Sequence, residues 1–214
     1  MSEKESKYED LSSIFHKIQN NVFHIKARNQ LSYSILNFFI MAIGFFIFGC
    51  INAEILFSNE NKYFFYGAII ISGIALVLLG IYEWYKGKSL YILINFSYGL
   101  LFIFWFLKYI LIENQDQELE KDEKKEGAFY IIWFILSLLI IIAVKNKGIF
   151  YSLNYFAVAA AFVFIFIDKY ADQEWSKLTY GYIFIISGCL FWITGLLRIS
   201  SSFFLNNNLE IVKE

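Results

Sequence analysis

SLYILINFSYGLLFIFWFL, residues 89 to 107, runs for nineteen positions without a charged side chain. A helix rises roughly 1.5 Å per residue and the hydrocarbon core of a bilayer is about 30 Å thick, so a stretch of this length and character is a membrane span. Marking Asp, Glu, Lys and Arg outward from it leaves five more such stretches, at 29–53, 63–82, 127–144, 148–167 and 178–197. None alternates polar and apolar residues as a transmembrane barrel strand must; each is apolar on every side. The expected fold class is all-α, a polytopic membrane protein built as a six-transmembrane-helix bundle.

Composition points the same way. The 214 residues are 58% hydrophobic and 21% aromatic, with 17% charged, well under the roughly 25% of a soluble domain. A soluble chain of this size needs a charged shell that this one cannot supply. Cytosolic enzymes, nucleic-acid binders and secreted modules are thereby excluded. Cys50 and Cys189 fall inside spans and read as small packing residues, with no disulfide framework and no metal spacing. Proline is absent, so glycine must supply any helix flexibility. No phosphate loop, metal cluster or catalytic triad is visible, and both histidines, His16 and His24, precede the first span. No cofactor, metal or catalytic residue is expected.

The chain divides into an N-terminal tail over 1–31, a transmembrane domain over 32–200 and a C-terminal tail over 201–214. In the first tail Leu11, Ile14, Phe15, Ile18, Val22, Phe23 and Ile25 recur at partly helical spacing among charges, which reads as an interfacial amphipathic helix. It lacks a signal-peptide pattern, so the first span is expected to act as an uncleaved anchor. In a six-span arrangement eleven basic residues fall on the side of the termini, including Lys86, Lys88, Lys145, Lys147 and Arg198, and seven on the other. The positive-inside rule then puts both termini in the cytosol, with the plasma membrane preferred over an organelle. The opposite side carries Lys62, Lys108, Lys169 and Lys177 and the acidic loop 113–127, whose seven acids and three lysines leave a net charge of minus four. Such a loop either concentrates cations at a pore mouth or serves as a solvated linker.

Within spans, polar residues are informative because each costs free energy unless it meets a partner or a watery cavity. Asn37, Met41, Gly44, Phe48 and Asn52 recur every three or four residues and share one face of the first helix. Asn at both ends of that face fits a lined cavity, or packing glue between helices. Tyr91, Asn95 and Tyr98, with Phe102 beyond, form a second face. A mid-span phenol facing a pore narrows it and is able to donate to a passing carboxylate. Glu83 ends the second span three residues before Lys86, as a relay or as half of an i, i+3 ion pair. Glu54 and Asp168 read as interfacial acids, and Arg198 as a snorkelling cation.

The segment GIYEWYKGKSLYILINFSYG, residues 80–99, resembles the signature stretch of the acetate uptake transporter family, the succinate-acetate permease group of small six-helix proteins. Gly80, Glu83, Lys86, Gly87, Ser97, Tyr98 and Gly99 match its pattern without a gap, and Ser89 stands where that family tends to have Thr. Asn52, Trp133 and GYIFIISG at 181–188 extend the likeness over about residues 32–200. The resemblance implies a homohexamer whose protomers each carry a path for small monocarboxylates, chiefly acetate, or succinate, with protons coupled or accompanying. It places Tyr98 at the narrow point. The chain departs from the pattern in three places: SYSILNF at 32–38 replaces the Asn-Pro-Ala-Pro-Leu-Gly-Leu motif, Leu76 stands where Gln can occur, and Arg198 replaces an acid.

Three functions are consistent with these residues. The first is a passive or proton-linked permease for a small carboxylate, whose pathway holds Asn37, Phe48, Asn52, Glu83, Asn95, Tyr98 and Phe102. The second is a facilitator for another small solute, such as ammonia or water, narrowed by Phe48, Tyr98 and Phe102. The third is a non-transporting structural or assembly subunit. Lipid, protons and copies of the same chain are the expected partners, and nucleic acid is not.

Overall fold

The computed structural model describes residues 35–55, 62–113, 123–171 and 174–211. The amphipathic tail helix expected over 1–31 and most of the acidic loop lie outside the described residues. Six helices follow one another: α1 (Ile35–Asn52), α2 (Lys62–Tyr85), α3 (Ser89–Glu113), α4 (Glu123–Val144), α5 (Ile149–Ala171) and α6 (Glu174–Ile211). No strand occurs among the described residues. Each helix contains a stretch long and apolar enough to cross a membrane, and large side chains such as Phe64, Ile71, Ile132 and Tyr85 face outward. An apolar exterior is what lipid contact requires. α6 carries its apolar segment over Trp175–Ser201 and continues as helix to Ile211, through most of the stretch expected as a C-terminal tail.

Tight turns join α2 to α3 and α4 to α5 at one end of the bundle, here called the turn end. At the first, the Gly87 amide donates to the Trp84 carbonyl at 2.9 Å and the Lys88 amide to the Glu83 carbonyl at 3.1 Å. That pattern closes a helix only if the residue between adopts a left-handed backbone, and Gly87 does so at φ 68°. At the second, a single 3₁₀ turn, Lys145–Lys147, makes the reversal. α1 ends at the opposite face with the same device, the Ile55 amide donating to the Cys50 carbonyl at 3.3 Å. There the left-handed position, φ 56°, is held by Glu54, which lacks glycine's freedom. Its carboxylate pairs with Lys177 of α6 at 2.8 Å.

The seams between helices are lined by glycine. A Cβ added to Gly49 of α1 would sit 2.6 Å from the Gly181 carbonyl oxygen of α6, and one added to Gly188 would sit 2.9 Å from the Ala42 carbonyl oxygen. α2 and α3 meet reciprocally, Gly73 and Gly99 each lying against the other's carbonyl oxygen at 2.9 Å by the same measure. Within a bilayer apolar side chains gain little by leaving lipid for protein, so backbone proximity and dense packing hold helices together. First and last helices thus close the bundle into a ring around an aromatic axis.

Candidate functional site

At the end opposite the turns, the bundle opens into a vestibule of about 550 Å³. Its walls come from α1 through α6 and combine phenols (Tyr66, Tyr109, Tyr130, Tyr180) with charged groups (Lys108, Glu126, Asp168, Lys169, Lys177). Every lysine here has an acid beside it. Lys108 pairs with Glu126, Lys169 lies 3.6 Å from Asp168, and Lys177 reaches Glu54 at the rim. Asn52 is pinned in the wall, its side-chain amide donating to the Phe48 carbonyl at 2.7 Å while its oxygen accepts from Tyr180 at 3.1 Å.

The floor is aromatic. Phe48 lies flat on Trp105, centroids 3.5 Å apart and planes within 6°. Beneath them Phe45 is the hub: it stacks on Phe184 at 5.6 Å and on Phe191 at 5.7 Å, and meets Phe102 and Tyr98 edge-on at 5.1 and 5.5 Å. Phe45, Phe102, Phe184, Phe191 and Tyr98 are all fully buried. Phe102 fits because it rests on Gly44, where any side chain would overlap its ring. The column continues through Tyr98 to Tyr155 at 6.0 Å, Tyr155 to Phe191 at 5.5 Å, and Phe191 to Phe38 at 6.0 Å.

One hydroxyl pair sits in this column. Ser137 donates to the Trp133 carbonyl one turn back at 2.8 Å, and its oxygen lies 3.0 Å from the Tyr98 hydroxyl. A serine has one proton. Either hydroxyl of the pair is able to donate; in the arrangement where the serine proton goes to Trp133, Tyr98 donates to Ser137 and its phenol oxygen keeps only acceptor capacity. In that arrangement the phenol proton that the sequence offers to a passing carboxylate is held by Ser137.

Nearer the turn end the polar groups are less well matched. Asn37 and Asn95 are buried, and each keeps an amide oxygen without a hydrogen-bond partner, as does Asn154, although its nitrogen donates to Thr194 at 3.0 Å. Glu83 is buried with its Oε2 3.5 Å from Lys88 Nζ, an ion pair without hydrogen-bond geometry. Lys86 lies over the Tyr82 ring at 4.2 Å. Tyr91 receives a hydrogen bond from Lys147 at 3.0 Å.

Of the seven residues singled out from sequence, Phe48, Tyr98 and Phe102 therefore belong to one aromatic cluster, Asn52 joins the vestibule above it, and Asn37, Asn95 and Glu83 lie toward the turn end. The sequence reading missed Phe45, Trp105 and Ser137. Phe45 was within reach, since it lies four residues after Met41 and three before Phe48 on the stripe already identified. Ser137 carried no signal: one serine in an apolar helix reads as bonded to its own backbone, which it also is.

No protein-family model matches the sequence, and no curated protein matches it. Among solved structures, the bacterial acetate channel SatP superposes with a TM-score of 0.72, covering 80% of this chain and 93% of that one at 14% identity. The likeness read from residues 80–99 thus has a structural counterpart, and the chain is an integral membrane protein with the six-helix fold of that acetate channel.

Proposed function

We propose that the chain passes a small monocarboxylate, acetate being the leading candidate, in its protonated form. The carrying observation is the donor arrangement at Tyr98. A carboxylate anion offers only acceptors, whereas a carboxylic acid offers one O–H donor, and with the serine proton on Trp133 the free valence of Tyr98 is an acceptor. The rest of the axis supports this reading. Between the vestibule floor and Asn154 its core is aromatic and uncharged among the described residues. An unpaired anion in such surroundings would shed its charge by taking a proton. The vestibule lysines attract the anion, it takes up a proton from the solvent there, and the neutral acid enters the rings. The fold shared with an acetate channel is consistent with this sequence of events.

The test is uptake of radiolabelled acetate into proteoliposomes under an inward proton gradient, corrected for protein-free liposomes because acetic acid itself crosses lipid. The expected result is protein-dependent uptake that rises as external pH falls and changes with Tyr98→Ala. Uptake indifferent to pH, or none from correctly folded protein, would sink the proposal.

The same column supports a second reading. Fully buried rings fill the axis, as they would in a bundle kept for assembly. Phe45→Ala separates the two: the flux rises if the rings are a gate and stays at the liposome background if they are a scaffold. Protein-dependent uptake of labelled methylamine, with which unlabelled acetate fails to compete, would instead favour the ammonia-type facilitator. Assembly into the hexamer that the resemblance implies, and cytosolic placement of the turn end, belong to the proposal too. Native mass spectrometry and cysteine labelling in oriented vesicles test them.

A further inference from the structure

The aromatic column reaches the turn end through Phe38, whose ring meets Tyr151 edge-on at 5.0 Å. The Arg198 guanidinium lies 4.8 Å from the Tyr151 centroid, and Lys147 Nζ lies 4.1 Å from that of Tyr91. Lys88 Nζ stands 5.6 Å from the same Tyr91 ring, so two ammoniums share one aromatic ring. Lys88 has Glu83. Among the described residues neither Lys147 nor Arg198 has a carboxylate within ion-pair distance, in contrast to every vestibule lysine. Tyr151 is 5% exposed, and Tyr91 and Arg198 face its hydroxyl without closing a hydrogen bond of good geometry. Contact with a ring face offsets little of a full positive charge. Like charges gathered on neighbouring rings repel unless an anion lies between them. A buried phenol whose neighbours form no well-aligned hydrogen bond with it is likewise costly unless a ligand completes it.

We infer that Lys147, Arg198, Tyr91 and Tyr151 form an oxyanion site at the turn end, separate from the vestibule. It takes a group with carboxylate or phosphate oxygens: the guanidinium and ammonium supply charge, and the Tyr151 hydroxyl supplies a directed donor. Naming the small carboxylate as its occupant rests on the proposed function, because an acid leaving the column there loses its proton and becomes the anion the cluster fits. A lipid phosphate at the membrane surface is the other source of the same chemistry.

The experiment is thermal unfolding of the whole protein in dodecyl maltoside, which carries no oxyanion, at pH 7. Sodium acetate at 100 mM is compared with sodium chloride at equal ionic strength, and phosphatidylglycerol is added in a separate arm. Acetate should raise the Tm of the unmodified protein by about 4 °C. The double variant K147Q/R198Q should lose at least half of that rise, Tyr151→Phe should lose a smaller part, and Arg198→Lys, which keeps the charge, should lose least. A rise with phosphatidylglycerol alone that disappears in K147Q/R198Q also establishes the site, with a lipid headgroup as its occupant. Equal rises in the unmodified protein and K147Q/R198Q, or no rise with either anion, overturn it. Circular dichroism checks that the variants are folded. The outcome is independent of flux: acetate-dependent stabilisation without uptake would remove the transport reading and leave the site standing.

Discussion

The seam between α1 and α6 and the axis inside the bundle are both tightly packed, but by opposite means. At the seam, Gly49 and Gly188 bring backbone against backbone, so a rigid main chain meets any added atom. On the axis, contact runs between rings, and Phe45 touches five of them: Tyr98, Phe102, Trp105, Phe184 and Phe191. A ring is able to leave its rotamer and return, whereas two apposed carbonyls have no alternative position. Opening a path through this molecule therefore calls for side-chain rotation on the axis, with the seams held fixed.

That contrast breaks first if the seam tolerates bulk. Gly188→Leu drives a side chain into Ala42 and Phe46 and should cost about 3 kcal/mol, the upper end of overpacking, seen as a fall in Tm of roughly 10 °C. A well-folded Gly188→Leu protein would show that the helices slide apart readily. Phe45→Ala should cost less, about 2 kcal/mol, because lipid gives an unfolded ring apolar surroundings and mainly the cavity term remains. Its flux should rise roughly tenfold, equivalent to about 1.4 kcal/mol off the barrier. Ser137→Ala comes next. It strands the Tyr98 proton, which costs about 1 kcal/mol, and it frees that proton for substrate, so the preference for low external pH should weaken. Tyr98→Phe in the same background should recover part of the stability, and a double-mutant cycle of melting temperatures measures the coupling. Smallest is Lys177→Gln, whose exposed pair with Glu54 is worth well under 1 kcal/mol; stability should hold while uptake at low salt slows.

How much of this the sequence shows depends on the kind of interaction. The spans are legible because charge is excluded from hydrocarbon: each of the six uncharged stretches ends one position before a charged residue (Glu54, Glu83, Lys108, Lys145, Asp168 and Arg198), and each corresponds to one helix. The Gly87 turn is legible for a similar local reason. On α1, the stripe from Asn37 to Asn52 does turn inward, with Asn37, Met41 and Phe48 buried. Pairings across helices are not legible. Nothing in the chain marks Gly49 as the partner of Gly181, since a residue without a side chain leaves no periodic trace. Phe45 is one of 25 phenylalanines, and abundance hides it. The ion pairs at the vestibule were hidden because Lys108, Lys169 and Lys177 look like ordinary loop charges until α3, α5 and α6 bring them to one rim.

The α1–α6 seam also fixes an order of assembly. The α2–α3 and α4–α5 hairpins, joined by turns of a few residues, have their contacts available as soon as each pair is inserted. Gly49 meets its neighbour only when residue 181 has left the ribosome and entered the bilayer. During synthesis the aromatic side of α1 is able to meet α3 early, at Phe102 and Trp105, but its glycine side must wait for α6, and the vestibule, whose wall includes Tyr180 and Lys177, is incomplete until the last helix arrives. A chain stopped before α6 would thus leave the glycine face of α1 bare and Asn52 without the Tyr180 hydroxyl that caps it.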